Sequence, residues 1–140
     1  SIKALKQVDT VAFESGVGAA SGPDSIRFQV WGDTAAGKPK ALVPKWLVSF
    51  RLTHRGVTIP ASDTAFAFVG ETNSSTTNPA RFQRIVDTTG TDGLAGRRVF
   101  IRTLTVNEDT VVVIATIRQR KANTAPIADS TLVVIRKRSP

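Results

Sequence analysis

The sequence lacks cysteine and methionine, and His54 is its only histidine. The absence of cysteine excludes a disulfide framework, a thiolate metal site and a cysteine nucleophile. With one imidazole available, zinc would need carboxylates for nearly all of its ligands, so we expect no zinc site. The chain also contains no apolar run of about 18 residues, so we do not expect it to span a membrane by itself.

Groups that could perform catalysis are equally scarce. A hydrolytic triad needs a serine, a histidine and a carboxylate that converge, and the sequence has one histidine and no G-x-S-x-G elbow. His54 precedes Arg55 and Gly56, a turn signal, and is interpreted as an exposed turn residue. The closest carboxylate pair, Glu108 and Asp109, lies in V-N-E-D-T, which is typical of a solvated hairpin tip. We therefore predict that the chain is not an enzyme and needs no cofactor.

Positive charge is what the chain has in excess. Lysine and arginine total 19 against 11 acidic residues, which gives a formal net charge of +8 at pH 7. Such a surface attracts nucleic acid, anionic lipid or an acidic protein, and the sign of the charge does not choose among them.

Apolar residues recur with a period of two and not of 3.6, which predicts strands. Clusters of glycine, proline, asparagine and serine separate the runs, so we expect six to eight short strands in an antiparallel sandwich. The residues 111–117 are apolar on both faces, as in a central strand. The runs are S-I-R-F-Q-V-W, V-P-K-W-L-V-S-F-R-L-T-H, T-A-F-A-F-V-G, R-V-F-I-R-T-L-T-V, T-V-V-V-I-A-T-I-R-Q-R and S-T-L-V-V-I-R-K-R.

The order of these strands and turns resembles the bacterial immunoglobulin-like domains of the invasin and intimin type, over residues 24–137. The matching positions are I-R-F-Q-V at 26–30, Asp33, G-K-P at 37–39, V-S-F at 48–50, Thr88, Thr89, Asp92, Gly93, Ala95, and the residues 111–116. The resemblance implies an all-β, immunoglobulin-like Greek-key β-sandwich of about seven to nine strands that binds or spaces and has no chemistry of its own. The chain departs from the pattern in a longer connection at 60–86 and in the residues before 24.

The resemblance also assigns roles to the two tryptophans. In immunoglobulin-like sandwiches a tryptophan on the third strand often fills the core between the sheets, and Trp46, on the same face as Val48, Phe50 and Leu52, is interpreted in that way. Trp31 ends a strand opposite the apolar face, so it is expected at the rim, where it could anchor an interface.

Residues 1–23 are assigned to an N-terminal arm with a possible first strand near 8–13, and residues 24–140 to the immunoglobulin-like domain. The arm is too apolar for a free tail in water. Part of it is therefore expected to pair with the sandwich or to lie on a partner.

A glycine-rich stretch, D-T-T-G-T-D-G-L-A-G-R-R, begins at Asp87. A phosphate-binding loop is excluded because Arg97 and a strand follow, where a P-loop requires a lysine, a serine or threonine, and a helix. The favoured interpretation is a hairpin corner in which Gly90 and Gly93 supply positive φ angles. The alternative interpretation is a loop in which Asp87 and Asp92 bind a cation.

The predicted function is a non-catalytic structural or docking module, an extracytoplasmic accessory subunit of the periplasm or cell surface whose leader lies outside the sequence shown. Its partners would be subunits of a larger assembly with an acidic surface, peripheral to a membrane and without specific nucleic acid. The alternatives are a basic binder of nucleic acid or anionic polymer and a virion decoration protein. The predicted partner-binding residues are Ile2, Leu5, Trp31, Arg97, Arg98 and Arg102.

Overall fold

A computed structural model describes residues 1–32, 41–71, 74–76, 82–118 and 126–138. These residues form thirteen strands and no helix, so no helix in this part of the chain is long and apolar enough to cross a membrane. The Asp33 and G-K-P positions of the family pattern lie outside the described residues. The strands are β1 Ile2–Ala4, β2 Val8–Phe13, β3 Ala19–Ala20, β4 Arg27–Gly32, β5 Ala41–Leu42, β6 Leu47–His54, β7 Val57–Thr58, β8 Ala67–Gly70, β9 Val86–Thr88, β10 Leu94–Gly96, β11 Arg98–Ile101, β12 Glu108–Ile117 and β13 Ala128–Lys137.

The strands pack as two layers. The large sheet has six strands in the order β2-β13-β12-β6-β7, and β9 pairs with β6 as well. The second layer contains two small sheets, β1-β4-β10 with β5 on β4, and β3-β11-β8. Only Arg97 separates β10 from β11, so the two small sheets continue into each other along that strand.

Alternation along the strands explains the core. In β6, Val48, Phe50 and Leu52 are buried, as their shared face predicts, and the β12 residues Val111 and Val113 are buried in the same way. The second layer contributes Phe28 and Val30 from β4, and the rings of Phe28 and Phe50 meet with centroids 5.9 Å apart. The two inner faces thus form one apolar core.

The interpretation of Trp46 was wrong. The residue is half-buried and packs against the margin of the core, one position before β6 begins. Lys45, just before it, has a φ of 61°, so the chain turns there, and the indole is only partly covered where it packs against the core.

The N-terminal residues supply strands to both layers. β1 pairs antiparallel with β4, with Ile2 opposite Val30, and β2 pairs parallel with β13, with Val11 opposite Ile135. At the end of β1 the backbone N–H of Ala4 donates to Oδ2 of Asp129 in β13 at 2.6 Å, which joins the two layers. The division of the chain between residues 23 and 24 stays a prediction.

Candidate docking surfaces

Arg98 lies on the outer face of the second layer. Val99 and Ile101 of β11 point into the core, so Arg98 and Phe100 point away from it. Phe100 stacks on Phe68 of β8, with ring centroids 5.0 Å apart and an interplanar angle of 13°. The Arg98 guanidinium carbon lies 5.2 Å from the centroid of the Phe100 ring, and Arg98 Nε donates to the carbonyl of Ser21 at 2.8 Å. These contacts fix the direction of the guanidinium.

Arg102 follows β11 and continues the same alternation. Its Nε donates to the carbonyl of Thr76 at 2.9 Å, and its Nη1 donates to the carbonyl of Thr64 at 3.2 Å. Among the described residues no carboxylate lies within salt-bridge distance of Arg102, so the carbonyl acceptors orient its charge without neutralising it. The side chain borders a cavity of about 330 Å³, lined by residues 16–18, Ala65, Thr76, Arg102 and Thr103.

Arg97 does not share this face. It occupies the break between β10 and β11, where its guanidinium donates to the carbonyls of Arg84 and Val86 and pairs with Asp87 at 3.4 Å. The structure therefore places Arg98 and Arg102 on the same outer face but directs Arg97 towards β9.

The other predicted partner residues lie along β1 and β4. Ile2 is buried in the core, Leu5 is 48% exposed, and Trp31 is half-buried at the end of β4. The ammonium group of Ser1 donates to the carbonyl of Trp31 at 2.9 Å. Leu5 thus offers the most accessible apolar surface of the three, and partner binding at these residues stays a prediction.

The glycine-rich stretch forms a tight turn, as predicted, and also crosses between layers. The N–H of Gly93 donates to the carbonyl of Gly90 at 3.0 Å, and the N–H of Gly90 donates to the carbonyl of Leu94 at 3.1 Å. The hairpin interpretation is corrected in one respect, because the strands on either side of the turn pair with different partners. β9, before it, pairs with β6 in the large sheet, whereas β10, after it, pairs with β4 in the second layer. Gly93 has a φ of 72°, which confirms one of the two predicted positive angles, but Gly90 is not among the glycines with positive φ.

The two aspartates of this crossing bond to the backbone around it. Asp87 Oδ2 accepts from the N–H of Gly96 at 2.9 Å, and Asp92 Oδ1 accepts from the N–H of Leu94 at 3.0 Å. Within the described ranges no three His, Cys, Asp or Glu side chains cluster as metal ligands would.

His54 and Asp109 form a contact that no sequence pattern indicated. His54 Nε2 lies 2.9 Å from Asp109 Oδ2, and the imidazole packs 4.5 Å from the ring of Phe66. His54 is therefore half-buried, and Asp109 is a β12 residue, so the exposed-turn and hairpin-tip interpretations were wrong. The partners are 55 positions apart, and no local pattern marks such a pair.

Opposing effects act on the Asp109 carboxyl. Burial raises its pKa, but hydrogen bonds from the Thr110 N–H and from His54, with the charges of His54 and Arg55, outweigh burial and leave the pKa below its ordinary value. The carboxylate form is therefore favoured, and the pair joins the end of β6 to the start of β12.

Basic residues form two C-terminal clusters, at 118–121 and 136–138. The described residues of the two clusters lie at opposite ends of the large sheet. Arg136 is opposite Glu108 at the start of β12, whereas Arg118 follows the end of that strand. Arg136 pairs with Glu108 at 3.3 Å, and Arg138 pairs with Glu14 at 3.4 Å. Residues 119–121 of the first cluster lie outside the described residues.

Comparisons with known proteins agree with this architecture. The structure is similar to that of the periplasmic chaperone SfaE, with a TM-score of 0.59, 7% sequence identity and 99% of this chain covered. The fold is an immunoglobulin-like β-sandwich. The match extends over 59% of the chaperone chain, and at this identity the likeness concerns the fold alone. No protein-family model matches the sequence, and the search of curated proteins found no match.

Proposed function

We propose that the chain is a non-catalytic docking module, an extracytoplasmic accessory subunit that binds the acidic surface of a larger protein assembly. The observation that carries the proposal is the display of Arg98 and Arg102 on one outer face. Both guanidinium groups are oriented by backbone carbonyls, and Arg102 is exposed beside a cavity.

Fixed arginines suit this role for a physical reason. Arginine stays protonated at any working pH and presents a planar set of donors that matches a carboxylate. Because carbonyl contacts already restrict these side chains, less conformational entropy is lost on binding. Charge complementarity at this face would mainly speed association and set orientation.

The fold supports the extracytoplasmic part of the proposal. The structural likeness to a periplasmic chaperone gives an example of this sandwich in that compartment. Kinship with the invasin and intimin type belongs to the same proposal, because the turn and core positions of that pattern are present in the sequence.

The test is co-purification of the full chain with its native assembly. We expect the double variant Arg98→Glu and Arg102→Glu to co-purify at least about tenfold less. The double variant Lys3→Glu and Lys45→Glu makes the same change in net charge at exposed positions of other elements and should behave as wild type. Thermal melts should show both variants folded. Equal recovery of the two double variants would contradict the proposal.

The net charge of +8 favours a second candidate, a binder of nucleic acid or another anionic polymer. That function predicts retention on immobilised DNA that falls steeply with salt and that both double variants weaken alike, because phosphate binding responds to the number of neutralised charges. The docking module predicts a different result. Only the Arg98 and Arg102 double variant should lose binding, and the loss should be seen with the protein assembly and not with DNA.

A further inference from the structure

The outer face of the large sheet carries aliphatic side chains that no described residue fully covers. In β12 the core takes Val111, Val113, Ala115 and Ile117, so the residues between them point outward. Val112 and Ile114 are only half-buried there, and so are Leu132 and Val134 on the outer side of β13.

The strand register joins these side chains into one surface. Val112 is opposite Leu132, and Leu132 is opposite Val8 of β2, so three aliphatic side chains form a row across three strands. Val8 is 53% exposed. Ile114 and Val134 lie on the same face, each next to this row along its own strand. We name these five residues the aliphatic patch.

Hydroxyl groups surround the aliphatic patch, as the register shows. Thr53 is opposite Val112, Thr110 is opposite Val134 on β12, and Ser130 is opposite Ile114. An apolar centre inside a polar rim is the arrangement found at protein–protein interfaces.

The unpaired charges at the rim of the aliphatic patch are positive. Arg51 is opposite Ile114, and Arg118 follows the end of β12; both are exposed. In the part of the chain that the structure describes, neither forms a salt bridge. Glu108, at the other end, is already paired with Arg136.

We propose that the aliphatic patch binds a partner protein whose contact surface is apolar at its centre and carries carboxylates at its edge. The apolar part would cover Val112 and its neighbours, and the carboxylates would pair with Arg51 and Arg118. Arg98 and Arg102 lie on the outer face of the other layer, so the chain would bridge two partners. We call the outer face that carries Arg98 and Arg102 the arginine face. The aliphatic patch lies on a different layer from the arginine face, so the two proposals are tested separately.

Two other occupants fit less well. A second copy of this chain would bring the same arginines to the interface without a free carboxylate from this face, and each copy carries a net charge of +8. A nucleic acid would use Arg51 and Arg118 but gain nothing from the aliphatic centre, because its phosphates are bound by cations and hydrogen-bond donors and not by aliphatic side chains.

The first experiment uses a defined probe. A synthetic extended peptide in which Val and Ile alternate with Asp and Glu is titrated into the full chain, and backbone amide shifts are followed by NMR. We expect shifts at the aliphatic patch and at Arg51, and much weaker binding by a control peptide in which Ser replaces Val and Ile. Shifts confined to β2, shifts on the second layer, equal binding of both peptides, or no binding would each overturn the proposal.

The second experiment compares two matched substitutions. Val112→Glu places a charge in the aliphatic patch, whereas Val57→Glu makes the same change at a β7 residue that is 70% exposed. We expect Val112→Glu to lower the affinity for the probe peptide at least about tenfold and Val57→Glu to leave that affinity unchanged. Arg51→Glu should also lower the affinity for the peptide. This variant tests the pairing of Arg51 with the peptide carboxylates even if Val112→Glu folds poorly.

The remaining outcomes identify other occupants. Sedimentation that shows a dimer dissociated by Val112→Glu would replace the partner protein with a second copy. Retention on immobilised DNA that depends on Arg51 but not on Val112, without peptide binding, would replace it with a polyanion. Either result overturns the proposal while leaving the arginine-face proposal to its own test.

Discussion

Gly93 has two reasons to be glycine. Its φ of 72° lies in the left-handed region that L-residues with a Cβ disfavour. In addition, a Cβ at this position would lie 2.6 Å from the carbonyl oxygen of Val30, closer than real contacts allow. This backbone passes close to β4 because the N–H of Val30 donates to the carbonyl of Gly93 at 2.8 Å.

We predict that Gly93→Ala lowers the free energy of unfolding by about 2 kcal/mol or more, since backbone strain and the contact with Val30 act together. The control is Gly56→Ala, which has a φ of 79° but no atom within 4 Å of the added Cβ. The free energy of unfolding of that variant should fall by only about 1 kcal/mol, because backbone strain acts alone there. Chemical denaturation measures both, and equal losses would show that the approach to Val30 is without effect.

Thr89 holds the turn that leads into β6. It is a buried polar residue whose Oγ1 accepts from the N–H of Trp46 at 2.9 Å and donates to the carbonyl of Val43 at 2.6 Å. The backbone of Thr89 also accepts from Lys45 N–H and donates to the Trp46 carbonyl. One side chain therefore connects the end of β9 to the start of β6.

Replacing Thr89 with valine keeps the shape of the side chain and removes both hydroxyl hydrogen bonds. We expect a loss of about 2 kcal/mol, because the Trp46 N–H and the Val43 carbonyl are left without this partner. Thr88→Val is the matched control on an exposed position and should change stability by less than about 0.5 kcal/mol. A melting temperature that falls equally in both variants would show that the hydroxyl of Thr89 is not what holds the turn.

The whole sandwich is closed at one side by the N-terminal strands. β1 adds to the second layer and β2 to the large sheet, so a single segment of chain crosses from one layer to the other. Ile2 and Ala4 are buried against that boundary.

Deletion of residues 1–7 should therefore destabilise the protein by at least about 2 kcal/mol, since it removes the buried Ile2 side chain and the antiparallel partner of β4. The control replaces the exposed Lys3 and Leu5 with serine in the full-length chain, which keeps β1 and its buried residues. Guanidinium titrations compare the two. A deletion variant as stable as the control would mean that β1 pairing adds nothing to the fold.

Much of the fold was accessible from the sequence, and so were Arg98 and Arg102 as candidate binding residues, whereas the aliphatic patch was not. Alternation identified Val48, Phe50 and Leu52 as one buried face, because side chains on a strand point to opposite sides at every step. Trp46 failed the same reasoning because periodicity does not reveal where a strand begins. Arg98 and Arg102 share one face and Arg97 does not because side chains alternate along a strand, and Ala95, Val99 and Ile101 occupy the inward positions. The carbonyl partners that orient these arginines lie far along the chain, and no local pattern marks them.

By itself, the sequence determined the all-β class, the positions of the longer strands and the inward faces of β4 and β6, because these follow from local spacing. Only the tertiary structure decided which strands are neighbours, that the glycine-rich stretch crosses between layers, and that His54 meets Asp109. The row from Val8 through Leu132 to Val112 was decided there as well. The physical reason is that strand pairing joins residues far apart along the chain, and backbone hydrogen bonds, which are the same for any sequence, set which side chains become neighbours.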